Sequence, residues 1–148
     1  MTVPSTNGSL ETSYQYDSLG RVKTITSPSG STGYIYSVDT STLGEPVNQI
    51  EVNDVLNRTS VTRTDARGRT VESIAPNPVT GNALDTFGLP SGAVTQMTYN
   101  SRGLLETTTN PANEETSYKY DNFDRLFQVS GVVVGHTQVV SERTYYKD

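Results

Sequence analysis

One short pattern recurs along the chain and limits what it can become. Tyr14-Gln15-Tyr16-Asp17-Ser18-Leu19-Gly20-Arg21-Val22 is echoed by Tyr118-Lys119-Tyr120-Asp121-Asn122-Phe123-Asp124-Arg125-Leu126. Between them lie Asp65-Ala66-Arg67-Gly68-Arg69 and Tyr99-Asn100-Ser101-Arg102-Gly103-Leu104, with weaker copies at Asp54–Arg58 and Asp85–Leu89. The spacing is close to 20 residues from Asp65 to Asp85, from Asn100 to Asp121 and from Tyr16 to Tyr36. It breaks elsewhere, and 37–53 is the least regular stretch.

The residue types give the pattern a physical meaning. Asp at a turn start accepts bonds from backbone N–H groups a few residues on. Gly three positions later supplies the positive φ that other residues resist. Asn57 and Asp124 take that place in two copies, and Asn is the better tolerated of the two. The Arg that follows is placed to pair with the turn carboxylate and lay its stem over the next strand. Tyr14 and Tyr16, Tyr34 and Tyr36, and Tyr118 and Tyr120 are each two apart, which puts each pair on one face of a strand. Arg21–Thr26 and Arg69–Ile74 alternate polar and apolar with period two. A second punctuation falls between motifs, at Pro28–Gly30, Pro76–Pro78 and Asn110–Asn113. The unit reads as strand, Gly turn, strand, Pro/Asn turn. The expected fold is all-β, with antiparallel β-hairpin repeats forming a curved strip or β-spiral. Residues 1–12 are a lead-in, and 13–148 hold the repeats in series, the last one incomplete.

Composition agrees. Hydrophobic residues are 32% of the 148 and charged residues 18%, with no Trp or Cys. A thick Leu-rich helical core is excluded, whereas a sheet with one buried face needs only alternate apolar positions. The paired Tyr residues are expected on that packed face. Net charge is −5, with no basic stripe, so nucleic acid is not an expected partner. No apolar run has the roughly 18 residues of a membrane span, and Met1–Leu10 lacks the basic and apolar regions of a secretory signal peptide. Without Cys there are no disulfides or thiolate sites.

The series Tyr16-Asp17-x-x-Gly20-Arg21, with its near match Tyr120-Asp121-x-x-Asp124-Arg125-Leu126 and interposed Pro-x-Gly, resembles the YD repeat of the RHS family. The resemblance runs from about Ser13 to Asp148. It implies a YD-shell-like fold, in which strips of hairpins wind into a hollow shell, as in bacterial RHS effectors, insecticidal toxin-complex cocoon proteins and teneurins. It implies a secreted or cell-surface place, a bacterial source, and an unfolded toxin polypeptide as cargo. The RHS-associated core motif, with the aspartates of self-cleavage, has no match here, so no family catalytic residue carries over. The repeat residues that do carry over are Tyr14, Tyr16, Asp17, Gly20, Arg21, Asp65, Gly68, Arg69, Tyr99, Gly103, Tyr118, Tyr120, Asp121 and Arg125. Six or seven two-strand repeats give about 14 strands, a strip on the order of 65 Å at roughly 4.8 Å per strand, too short to enclose a folded protein.

No catalytic, cofactor or metal site is expected, and the chain is not expected to be an enzyme. His136 is the only His and reads as a hairpin-turn residue at the surface. Glu114-Glu115 follow a Pro/Asn turn and read as solvated. Asp39, Glu45, Asp54 and Asp65 lack Ca²⁺-loop spacing. The Tyr-Asp pairs suit a sugar but read more simply as sheet filler and turn cap. Three roles follow. The first is a structural shell segment that encapsulates a polypeptide cargo, joined to further YD repeats. The second is a self-assembling filament or tube of identical copies, built by end-to-end sheet pairing through ends such as Thr144–Asp148. The third is a cell-surface or glycan-binding adhesive module.

Overall fold

The computed structural model describes residues 11–133 and 136–142. They form one antiparallel sheet of eleven strands in strict sequence order: β1 (Ser13–Tyr16), β2 (Val22–Ser27), β3 (Gly30–Thr40), β4 (Pro46–Asn53), β5 (Thr59–Thr64), β6 (Thr70–Ile74), β7 (Val94–Tyr99), β8 (Leu105–Thr109), β9 (Glu115–Tyr120), β10 (Leu126–Val133) and β11 (His136–Glu142). Each strand pairs only with its neighbours in sequence, so the sheet is an open meander. His136 opens β11 opposite Val133. Its side chain lies outside the described residues, as do 1–10 and Thr144–Asp148.

Among the described residues fewer strands form than the repeat count predicts, in part because one copy makes its turn without flanking strands. Asp85–Leu89 lies inside an excursion, 75–93, between β6 and β7, and its arms hold a single bridge, Leu84 to Pro90. β6 and β7 nevertheless pair directly, Glu72 with Gln96 and Ile74 with Val94. The three expected Pro/Asn turns also differ from one another. Pro28-Ser29 is a two-residue hairpin between Ser27 and Gly30. Pro76–Pro78 opens the excursion. Asn110–Glu114 repeats the geometry of the Asp turns. The irregular stretch 37–53 lies in β3, β4 and the turn between them, whose strands pair without a bulge from Gly33–Asn53 to Thr40–Pro46. Its irregularity is in residue type alone.

Cross-strand partners share a face, which assigns every side chain to one of two. On one face run Asp39–Val47, then Gln49–Arg63–Glu72–Gln96, then Val61–Ile74–Val94. The other carries Tyr14–Ile25, Tyr34–Val52, Tyr36–Ile50–Thr62–Ser73–Thr95, Met97–Thr108–Thr116 and Tyr118–Val129. The buried residues Val47, Val61, Ile74, Gln49, Arg63 and Glu72 all belong to the first face. This corrects the expectation that the paired Tyr residues pack the core. Tyr14 and Tyr16 are 53% and 59% exposed, and Tyr34, Tyr36, Tyr118 and Tyr120 are half-buried. The excursion covers the first face instead, where Ala83 seals against Val61 and Ile74. No layer covers the Tyr face among the described residues.

The excursion returns to the sheet through a close backbone approach. A Cβ on Gly92 would stand 1.7 Å from the Ala75 carbonyl oxygen, with backbone on every near side. We predict that Gly92→Ala destabilises the chain by about 3 kcal/mol or more, as overpacking with no room to relax. Gly33→Ala, where a Cβ meets nothing within 4 Å, should cost far less. Urea unfolding of the two variants checks the difference.

Candidate functional site

Eight turns share one five-residue geometry, beginning at Asp17, Ser41, Asp54, Asp65, Asp85, Asn100, Asn110 and Asp121. In each, the first residue's N–H donates to the fifth residue's carbonyl, and the fourth residue's N–H donates to the first residue's carbonyl. The fourth residue has positive φ: Gly20, Gly44, Gly68, Gly88 and Gly103, but also Asn57 at 57°, Asn113 at 62° and Asp124 at 64°. This is a three-residue hairpin loop, a type I turn closed by a left-handed residue.

The side chain of the first residue fastens the loop. Asp17 Oδ1 accepts the N–H groups of Leu19 and Arg21, both at 2.9 Å, while Oδ2 accepts Arg21 Nε at 2.7 Å. Asp54 holds Arg58 in the same way, Asp65 holds Arg69, and Asp121 holds Arg125. The expected bonds two residues on are present, and the second falls four residues on. Asp85 makes both backbone bonds but has Leu89 where the others have Arg. At Asn110 the polarity reverses, as its amide donates to Glu114 Oε2 at 2.7 Å. Sequence reading placed a Pro/Asn turn at Asn110–Asn113 without its Asp-turn geometry and missed Ser41–Glu45; the signal of both is a hydrogen-bonding side chain three residues before Gly or Asn. In the latter, Ser41 Oγ accepts the Glu45 N–H.

These contacts hold the carboxylates in their charged form. The Arg21 N–H lowers the pKa of Asp17 from the ordinary 3.8, and the Arg21 side chain adds to it. The Arg58 N–H does so for Asp54 and the Arg69 side chain for Asp65. At Asp121 partial burial opposes the shift, and the Arg125 bonds outweigh it. Burial, then the neighbouring Tyr118, raises the Tyr120 phenol.

In two places the Arg is also locked from above by a Tyr on the next strand. Arg21 stacks 4.2 Å from the Tyr36 ring centroid, and Tyr36 OH donates to the Val22 carbonyl at 2.8 Å. Arg69 stacks 4.3 Å from Tyr99, whose OH donates to the Thr70 carbonyl at 2.7 Å. Each lock joins a turn to the following hairpin. Tyr14, Tyr16, Tyr118 and Tyr120 share the Tyr face, while Asp17, Gly20, Arg21, Asp65, Gly68, Arg69, Gly103, Asp121 and Arg125 sit in the turns. The repeat residues therefore line a rim and one face, and of them Asp65, Arg69 and Tyr99 border one cavity of about 570 Å³.

The second polar constellation was not legible in sequence. Arg63 is 2% exposed and Glu72 fully buried. Arg63 donates to Gln49 Oε1 at 2.8 Å, Glu72 Oε2 at 3.0 Å and Asp39 Oδ2 at 2.7 Å. The other Glu72 oxygen accepts the Thr42 N–H at 2.7 Å and its hydroxyl. The turn 41–45 thus curls over the sheet, and a cavity of about 430 Å³ remains between Arg63, Thr42 and Phe87–Pro90 of the excursion. Saturated hydrogen bonding explains how the ion pair tolerates burial. Its groups are mutually occupied, which suits a structural row. Among the described residues no group of three or more His, Asp or Glu is placed to hold a metal.

Residues 5–32 and 99–133 match the RHS Repeat family. Both matched segments contain a Tyr-Asp turn, at Asp17 and at Asp121. No curated protein sequence matches the chain. Among the solved structures that do, one titled "Crystal Structure of TcdB2-TccC3-Cdc42" is 16% identical, with a TM-score of 0.31, over 91% of this chain and 10% of that one. The chain therefore spans about a tenth of that neighbour's length.

Two predictions follow from the turn and row geometry. Asp17, Asp54, Asp65 and Asp121 have a lowered folded pKa, so their stabilisation is present above the unfolded value near 3.8 and is lost as pH falls through the folded value. Asp17→Asn or Asp65→Asn should flatten the loss of stability below pH 4, read by urea midpoints across pH. For the buried row, Arg63→Met should cost about 3–5 kcal/mol by stranding Glu72. The double variant Arg63→Met/Glu72→Met should be more stable than either single one in the same assay.

Proposed function

We propose that the chain is a non-enzymatic length of shell wall, with its Tyr face turned toward a polypeptide client. The observation that carries this reading is the uncovered face itself. It presents Tyr14, Ile25, Tyr34, Ile50, Val52, Met97 and Tyr118 across the sheet, with few charges among them. A broad amphipathic face of this kind suits an extended chain of no fixed sequence, since Tyr combines a large apolar body with a polar tip. The match of residues 5–32 and 99–133 to the RHS Repeat family supports a shell role, and a toxin-like cargo is the finer form of the proposal. We place the protein at or beyond the surface of a bacterial cell, joined to further YD repeats.

The test is binding of a reduced, alkylated and permanently unfolded polypeptide, followed by fluorescence anisotropy. Tyr14→Ser and Val38→Ser lie on the Tyr face, and both sites are exposed, Val38 at 77%. Together they should weaken binding at least about tenfold, as loss of apolar contact does. Ile35→Ser removes an equally apolar, 59% exposed residue from the opposite face and should leave binding unchanged. No binding by the parent chain, or equal loss on both faces, contradicts the reading.

A second reading, end-to-end assembly into a filament or tube, is favoured by the sheet ends. Among the described strands, β1 pairs only with β2 and β11 only with β10. A free strand edge invites another strand, so Gln15→Pro in β1 should abolish such growth in light scattering.

A further inference from the structure

Three side chains of complementary reactivity meet where the turn 41–45 closes over the sheet. Glu72 and Gln96 are direct cross-strand partners on β6 and β7, so their Cβ atoms stand roughly 4.5–5.5 Å apart on one face. Thr42 reaches both from the turn above. Its N–H donates to Glu72 Oε1 at 2.7 Å, and its hydroxyl donates to the same oxygen. The Gln96 side-chain amide donates to Thr42 Oγ1 at 2.5 Å. One hydroxyl oxygen therefore lies between a carboxylate and a primary carboxamide.

These are the parts of an acyl transfer. A Thr hydroxyl is a weak nucleophile until a base within hydrogen-bond reach takes its proton. Glu72 is that base. It is fully buried, and Arg63 Nη1 fixes its other oxygen at 3.0 Å. The acyl group is the Gln96 carboxamide. With an amide C–N bond of about 1.33 Å, its Cδ is no more than about 3.8 Å from Oγ1. Rotation of the amide brings that carbon to the roughly 3–3.5 Å of a near-attack pair. The Thr42 N–H bond to Glu72 holds the nucleophile in place meanwhile.

We propose that Thr42 and Gln96 join through an intramolecular ester. Thr42 Oγ1 attacks Gln96 Cδ, and Glu72 takes the hydroxyl proton and returns it to Nε2. The Cδ–Nε2 bond breaks, ammonia leaves, and an Oγ1–Cδ bond remains. The exchange needs no oxidant and no co-reactant. Thr42 is exposed, which gives the ammonia a way out, and its protonation in water draws the exchange forward. The link ties the turn 41–45 to β7 across β4, β5 and β6. Residues 54 apart in sequence are then joined, which constrains the unfolded chain as a disulfide would, in a chain without Cys. The proposal is independent of the wall reading.

Intact mass spectrometry of the denatured chain tests it. The parent should be lighter than its sequence mass by one ammonia. Trypsin, cutting after Lys23, Arg58, Arg69 and Arg102, should release 24–58 and 70–102 as one joined species. Dilute hydroxylamine, which cleaves esters and spares amides, should separate the two. Thr42→Ser keeps the hydroxyl and should stay joined. Thr42→Val, an exposed position whose loss leaves the circular dichroism unchanged, should show full sequence mass and two separate peptides. Gln96→Met should do the same. A parent of full sequence mass, an ammonia loss that persists in Thr42→Val, or a digest without the joined species would each overturn the proposal. Joining of Glu72→Gln to the parental extent would overturn the part given to the carboxylate.

Discussion

Everything in this sheet depends on a carboxylate that finishes a turn. In a type I loop closed by a left-handed residue, the amides of the third and fifth residues point inward with no backbone partner. An Asp at the first position satisfies both through one oxygen and neutralises its charge on Arg through the other. The loop is thereby fastened without help from a core, which matters in a sheet whose buried apolar residues, among those described, are Val47, Val61, Ile74 and Ala83. At Asp85, where Leu89 takes the place of the Arg, the turn closes inside the detour 75–93, whereas the Asn100 turn, with Leu104 in that place, joins β7 to β8.

Alternation of strands at a fixed period then assigns the two faces different work. The Tyr face couples hairpins through the Arg–Tyr locks at Tyr36 and Tyr99. The opposite face is sealed at its centre by the excursion and by the 41–45 turn, both gathered around Arg63 and Glu72. That polar row also sets register. Sliding β5 by one residue would turn Arg63 to the Tyr face and strand Glu72 beneath the excursion. A buried ion pair of this kind adds specificity to a sheet whose Thr- and Ser-rich strands would otherwise slip easily.

The turns were legible in sequence because their chemistry is local: five residues contain the acceptor, the left-handed position and the cation. Strand direction, the all-β class and the Tyr phase followed from them. The turns at Ser41 and Asn110 were harder, since Ser and Asn replace Asp and the paired cation becomes Glu. The packed face was misread, because Tyr promises burial by its size whereas burial here is decided by the excursion, a tertiary event. Arg63 and Glu72 alternate with Thr and Ser like any surface strand residue, and only the folding of 75–93 and 41–45 over them makes them interior.

The central claim is that the Asp-bound amides are as firmly held as those of the strands. Native-state hydrogen exchange of the amides of Arg21, Arg58, Arg69 and Arg125 tests it most directly. The account predicts that they exchange with protection comparable to neighbouring strand amides such as those of β5 and β6. Exchange at the rate of an unstructured peptide, while the strands stay protected, would contradict it.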